Sequence, residues 1–185
     1  MIPPRENLLA IAEKYWRADK AYAGSVEHRR LMDLWDEELK KMGQWWGLLD
    51  ELKKELPGFT IGNATATPDA CFRCAAYSPG NEPGGHHFVV VGCVSILAPV
   101  YVVYGMEYVK IGRMRTNSRI FFEPLPGKMR HSADVVSRRI EAFFRVDVLP
   151  RDIAEARIPL HVEPIEPPNT TFFHAFFTSE PESLP

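Results

Sequence analysis

Phe88-Val89-Val90-Val91-Gly92-Cys93-Val94-Ser95-Ile96-Leu97 is the stretch on which the fold turns. Its first four positions are apolar with no alternation. A strand with one wet face alternates between apolar and polar residues, so this run belongs to a central strand covered on both faces. Val90 and Val91 should therefore both be buried. The run is also too short, and too soon followed by Pro99, to cross a membrane.

Working outward, further runs rich in β-branched and aromatic residues occur at Phe59–Asn63, Ala70–Tyr77, Val100–Tyr104, Glu107–Ile111 and Ile120–Glu123. The links between them are short and full of turn formers, as in Ser78-Pro79-Gly80-Asn81-Glu82-Pro83-Gly84-Gly85. Consecutive strands joined this way predict an antiparallel meander.

Residues before the sheet have helical periodicity. Pro3 and Pro4 suit a helix start, and Leu8, Leu9, Ala12, Tyr15, Trp16 and Tyr22 recur every three or four positions. Gly24 should stop that helix and Ser25 should cap the next. The second stretch runs to Leu56, with Leu31, Trp35, Leu39, Met42, Trp45, Leu49 and Leu52 along one side. Gly43 and Gly47 mark where it would bend or divide, and Pro57-Gly58 ends it. Residues 1–57 thus read as a helical pair.

After the sheet, Ser132 is placed to cap a helix whose apolar side is Ala133, Val136, Ile140, Phe143 and Phe144. A short helical turn is expected at Asp152–Ala156. Two more strands are expected at Ile158–Val162 and Thr171–Phe177, around Pro164, Pro167 and Pro168. The sheet and its helix fill 58–178, and 179–185 has the composition of a tail. The expected fold is one α+β domain over 1–185: an antiparallel meander with an N-terminal helical pair and one later helix packed on it.

Composition agrees with a folded domain, at 185 residues, 45% hydrophobic and 25% charged. Three cysteines exclude a disulfide scaffold, and their odd number suits a reducing, cytoplasmic setting. The N-terminus has no basic region followed by an apolar core, so no secretory signal is read there. The net charge is only -2, but it is unevenly spread. Positions 110–151 are rich in Lys and Arg, whereas from His161 onward there are glutamates and neither Lys nor Arg. A basic segment in an acidic chain suits a protein partner or a solvated surface better than nucleic acid, and an acidic C-terminus folded back on it would partly neutralise it.

Two groups of residues are candidate sites. Cys71-Phe72-Arg73-Cys74 is a C-x-x-C motif followed by His86-His87, the residue types of a zinc site or a thiol enzyme. Strand placement argues against both, because side chains three apart in a strand point to opposite faces. No G-x-S-x-G, P-loop, G-x-G-x-x-G, H-E-x-x-H or EF-hand pattern is present. Neither metal nor cofactor is expected. The second group is Trp45 and Trp46 with Asp50, Glu51 and Glu55. Adjacent tryptophans point about 100° apart on a helix, so one of them should reach a rim or an interface.

The strings Leu56-Pro57-Gly58-Phe59, Phe88-Val89-Val90-Val91-Gly92 and Phe173-His174-Ala175-Phe176-Phe177-Thr178, in this order of elements, resemble a bacterial polymorphic-toxin immunity protein of the immunity-52 type. The resemblance covers most of the chain. It implies a non-enzymatic, cytoplasmic neutraliser that binds a cognate toxin, with nucleases as the associated toxin class, and it implies no particular site residues. An acidic surface at Trp45, Trp46, Asp50, Glu51 and Glu55 could fill a nuclease's basic groove. The reverse arrangement would set the Arg113–Arg119 loop against an acidic, metal-binding centre. The competing readings are an enzyme or metal protein using Cys71, Cys74, His86 and His87, and a dimerising module using the Trp-rich helices.

Overall fold

A computed structural model describes residues 2–80 and 83–185, and its centre is the expected strand. Five strands follow one another as an antiparallel meander: β1 (Thr60–Asn63), β2 (Cys71–Tyr77), β3 (His86–Ser95), β4 (Val100–Ile111) and β5 (Met114–Phe121). Val90 and Val91, on β3, are both fully buried. A two-residue strand, β6 (Asp147–Val148), pairs in parallel with the start of β4. The fold is therefore α+β, and helices cover both faces of the sheet.

The expected break between Val100–Tyr104 and Glu107–Ile111 is absent, because Gly105 sits inside the continuous β4. Its missing side chain is needed for packing: a Cβ there would run into Met129 of α4 (Gly127–Phe144). Gly92 of β3 plays the same part, since its Cβ would come within 2.7 Å of both Val136 and Ile140. The two glycines let α4 lie close against the middle of the sheet. That helix begins after Pro126 rather than at Ser132, whose hydroxyl instead donates to the Met129 carbonyl at 3.0 Å.

The N-terminal part is three helices, not a pair. They are α1 (Arg5–Ala12), α2 (Val26–Leu39) and α3 (Met42–Glu55). The apolar periodicity beyond Ala12 does not continue the helix. Trp16 instead donates its indole N–H to the Ala175 carbonyl at 2.8 Å, and Arg17 pairs through its backbone with His161. Ser25 caps α2 as expected, accepting from the His28 N–H. The division of the second stretch falls at Lys40–Lys41, ahead of Gly43. Gly47 is a packing position, where a Cβ would lie 3.0 Å from the Phe143 ring.

After α4 come a short α5 (Arg151–Ala154) and, where a strand was expected at Thr171–Phe177, a helix, α6 (Phe172–Phe176). Ile158–Val162 forms only isolated bridges, His161 to Arg17 and Val162 to Ile165. Phe172, Phe176 and Phe177 are fully buried, and each buried ring contributes about 2–3 kcal/mol of hydrophobic stabilisation. Residues 179–185 are not a free tail: they lie across the sheet face opposite α4, held by side chains of β2, β4 and β5. Among the described residues no helix is long and apolar enough to cross a membrane.

Candidate functional site

Strand alternation builds the most elaborate surface of the molecule. Side chains two apart in a strand, and those directly opposite on a neighbour, share a face. Tyr77 pairs with Val89, His87 with Tyr108, and Lys110 with Arg115. Tyr77, His87, Tyr108, Lys110 and Arg115 therefore gather on one face at one end of the sheet. They line a groove of about 1020 Å³. The Arg115 guanidinium lies 5.3 Å from the ring centres of both Tyr77 and Tyr108, and the His87 ring stacks on Tyr108 at 5.5 Å.

The chain's own residues 179–185 cross the same face. Tyr104 donates to the Pro181 carbonyl at 2.7 Å, and Tyr77 donates to the Pro185 carboxylate at 2.6 Å. Arg115 donates to the Leu184 carbonyl at 2.8 Å and to the carboxylate of Pro185 at 2.6 Å. Arg73 donates to Glu180 and Ser183, at 3.3 and 2.9 Å. Four side chains thus grip four backbone carbonyls and the final carboxylate of one strap. Arg73 is 4% exposed, and Asp69 stands 3.7 Å from it. Burial pushes the Asp69 carboxyl up to about 6, against the pull of the Arg73 guanidinium.

Beyond the groove, β4 and β5 run out into a hairpin with only Gly112 and Arg113 between them. Gly112 takes the positive φ (+62°) that such a tight link demands. The residues facing each other at its tip, Ile111 and Met114, are 65% and 68% exposed. Strand alternation puts Lys110 and Arg115 on the groove face of this ribbon and Ile111 and Met114 on the other, with Arg113 in the turn. Arg115 and Arg119, expected in a loop, are strand residues of β5. The sign of this apolar tip in the sequence is Ile111 and Met114 flanking a Gly-containing pair, the short-hairpin pattern.

The α3 surface is different in character. Trp45 is buried; its indole N–H donates to Asn63 at 3.0 Å and its ring packs on Phe72. It contributes no surface, whereas Trp46 is 47% exposed. Asp50 pairs with Lys53 at 3.0 Å and Glu51 with Lys54 at 2.6 Å. Glu55 is taken by Arg139 of α4. Every acid proposed for this face is engaged by a neighbouring cation.

Cys71, Cys74, His86 and His87 are not brought together. Cys71 pairs with Ser95 and Cys74 with Gly92, eight and five residues along β3 from His87. At ~3.3 Å per residue that is roughly 26 and 17 Å. The two thiols also point to opposite faces. All three cysteines are free and buried. Burial pushes the Cys74 thiol up to about 12 and holds that of Cys71 well above its ordinary value; such thiols are poor nucleophiles. His86 and His87 face opposite ways, and Glu82, the nearest acid in sequence, lies outside the described residues. Among the described residues no group of three or more His, Cys, Asp or Glu gathers to hold a metal.

A second, smaller cavity of about 350 Å³ lies between β4, α5 and α6, with Val102, Val103, Phe122, Leu149 and Phe173 among its walls. His174 borders it. Its Nδ1 accepts from the Thr171 N–H at 3.1 Å, and burial lowers its pKa, so the imidazole is neutral there.

No family model matches this chain, nor does any curated protein or solved structure.

Proposed function

We propose that this chain is a non-enzymatic neutraliser of a bacterial toxin, of the immunity type its sequence resembles, and that it works by covering the toxin's active groove. The observation that carries this reading is the β4–β5 hairpin. Ile111 and Met114 are the two most exposed large apolar side chains among the described residues, at the end of a ribbon whose turn holds Arg113 and whose other face carries Lys110 and Arg115. An exposed apolar pair with charged groups close by can anchor an interface whose polar neighbours steer the partner. A nuclease toxin holds its metal ions with carboxylates, and a cationic tip fits such a centre in shape and sign.

The α3 face supports the reading less, because its acids are spent on local lysines and on Arg139. An enzyme built on Cys71, Cys74, His86 and His87 has little support from thiols this buried and this far from the histidines. Cytoplasmic residence fits three free, buried thiols.

The test is to mix the chain with the toxin encoded beside it and follow the toxin's nuclease activity. Stoichiometric inhibition by the parent is expected, with inhibition weakened about 30-fold in the Ile111→Ser/Met114→Ser chain and melting unchanged. Inhibition that is absent in the parent, or undiminished in the double variant, contradicts the proposal.

A further inference from the structure

We propose that the groove beside the hairpin is a docking site for an acidic, turn-bearing peptide segment of the partner protein, and that the chain's own residues 179–185 are its resident, exchangeable occupant. The proposal rests on the neutraliser reading only in taking the toxin as the source of that segment.

The recognition is aimed at backbone. Tyr104, Arg73, Arg115 and Tyr77 offer donors in succession to the carbonyls of Pro181, Glu180, Ser183 and Leu184 and to the carboxylate of Pro185. Proline at 181 costs nothing here, since a proline carbonyl accepts as well as any other and the missing N–H is not used. The strap turns at Pro181-Glu182, where the Ser183 N–H donates to the Glu180 carbonyl at 3.0 Å, and Arg73 holds the carbonyls at both ends of that turn; a segment with the same turn meets the same donors.

Charge selects among such chains. Lys110, Arg113 and Arg115 line the groove, while the strap brings to it Glu182 and the carboxylate of Pro185, which Arg115 holds. Neither Lys110 nor Arg113 forms an ion pair among the described residues. The resident segment therefore leaves cationic charge unmatched, and a more acidic segment would match it. Single-stranded nucleic acid would use the same cations, but it also needs open aromatic faces for base stacking. The faces of Tyr77 and Tyr108 are already engaged by Arg115 and His87.

The experiment places a fluorophore on a Ser183→Cys variant of the full chain. Ser183 is exposed and the three native cysteines are buried, so the label reports the strap. Two peptides are added in trans: one with the sequence of residues 179–185, and the same peptide with Ser183→Glu and Pro185→Glu. Both should release the label, the acidic one at about tenfold lower concentration. In a Lys110→Gln/Arg113→Gln chain that advantage should vanish, while the native-sequence peptide acts as before and the melting temperature holds. No release by either peptide up to the millimolar range overturns the proposal. So does equal potency of the two peptides, or release by an oligothymidine at concentrations where both peptides fail. Toxin binding through Ile111 and Met114 is untouched by any of these outcomes. A chain that exchanges its strap yet fails to inhibit the toxin would count against the neutraliser reading alone.

Discussion

The α3 face and the β4–β5 hairpin each present an apolar side chain among charges, yet only one has charge to spare. On α3, Asp50 and Glu51 meet Lys53 and Lys54 three residues on, so the helix neutralises its own acids. On the hairpin, Lys110 and Arg115 stand directly opposite each other across the ladder. Like charges so placed cost local stability unless an anionic or carbonyl-rich group lies against them. Here the strap's carbonyls supply part of that compensation and a partner would supply more. Counting charges in a sequence therefore overstates the acidic helix and understates the basic hairpin.

Both surfaces depend on the sheet as a common platform. Replacing Val91 by Asp leaves an unpaired charge in the core and should cost about 3–5 kcal/mol, read from denaturant midpoints. A Val91→Asp chain that melts like the parent would remove the platform and with it the comparison. Next in size is the hairpin itself. Ile111→Ser with Met114→Ser should weaken toxin affinity by about 2 kcal/mol, measured by calorimetry, with little change in melting.

A pH effect sharpens the groove side. Burial raises the Asp69 carboxyl to about 6 in the folded chain, from the 3.8 of an ordinary exposed aspartate in the unfolded one. Between these values the folded state binds the proton more tightly, so stability should fall as pH rises from about 4 to 6. The loss should be on the order of 1–2 kcal/mol in denaturant titrations, and Asp69→Asn should flatten the slope in that window. An unchanged slope would show that Asp69 is not held as its surroundings imply. The smallest effect is expected on α3: Trp46→Ala should alter toxin affinity less than threefold. A loss as large as the hairpin's would restore α3 as the binding face.

The run Phe88–Val91 declared itself in the sequence because covering both faces leaves no room for polar alternation. The same logic failed at Phe172–Phe177, where a short apolar run fits a buried helix as well as a strand. There the distinction lies in Thr171 and His174, which close the helix start on each other. Gly105 reads locally as a break, but its reason is Met129 on a distant helix. The α3 site was half legible: the angle between Trp45 and Trp46 required one exposed ring, but not which one. The groove was not legible, since its donors Arg73, Tyr77, Tyr104 and Arg115 come from three strands, and Glu-Pro-Glu-Ser looks like solvent-exposed tail until those donors are in place.

The central claim is that the basic hairpin, not the acidic helix, faces the toxin, and association kinetics test it most directly. Charge near a binding face sets the encounter rate at low salt, and its sign shows which face is used. Stopped-flow mixing of the toxin with Arg113→Glu and, separately, with Glu51→Lys should show association slowed about tenfold in the first and within twofold of the parent in the second. Slower association in Glu51→Lys, with Arg113→Glu unchanged or faster, would contradict the account.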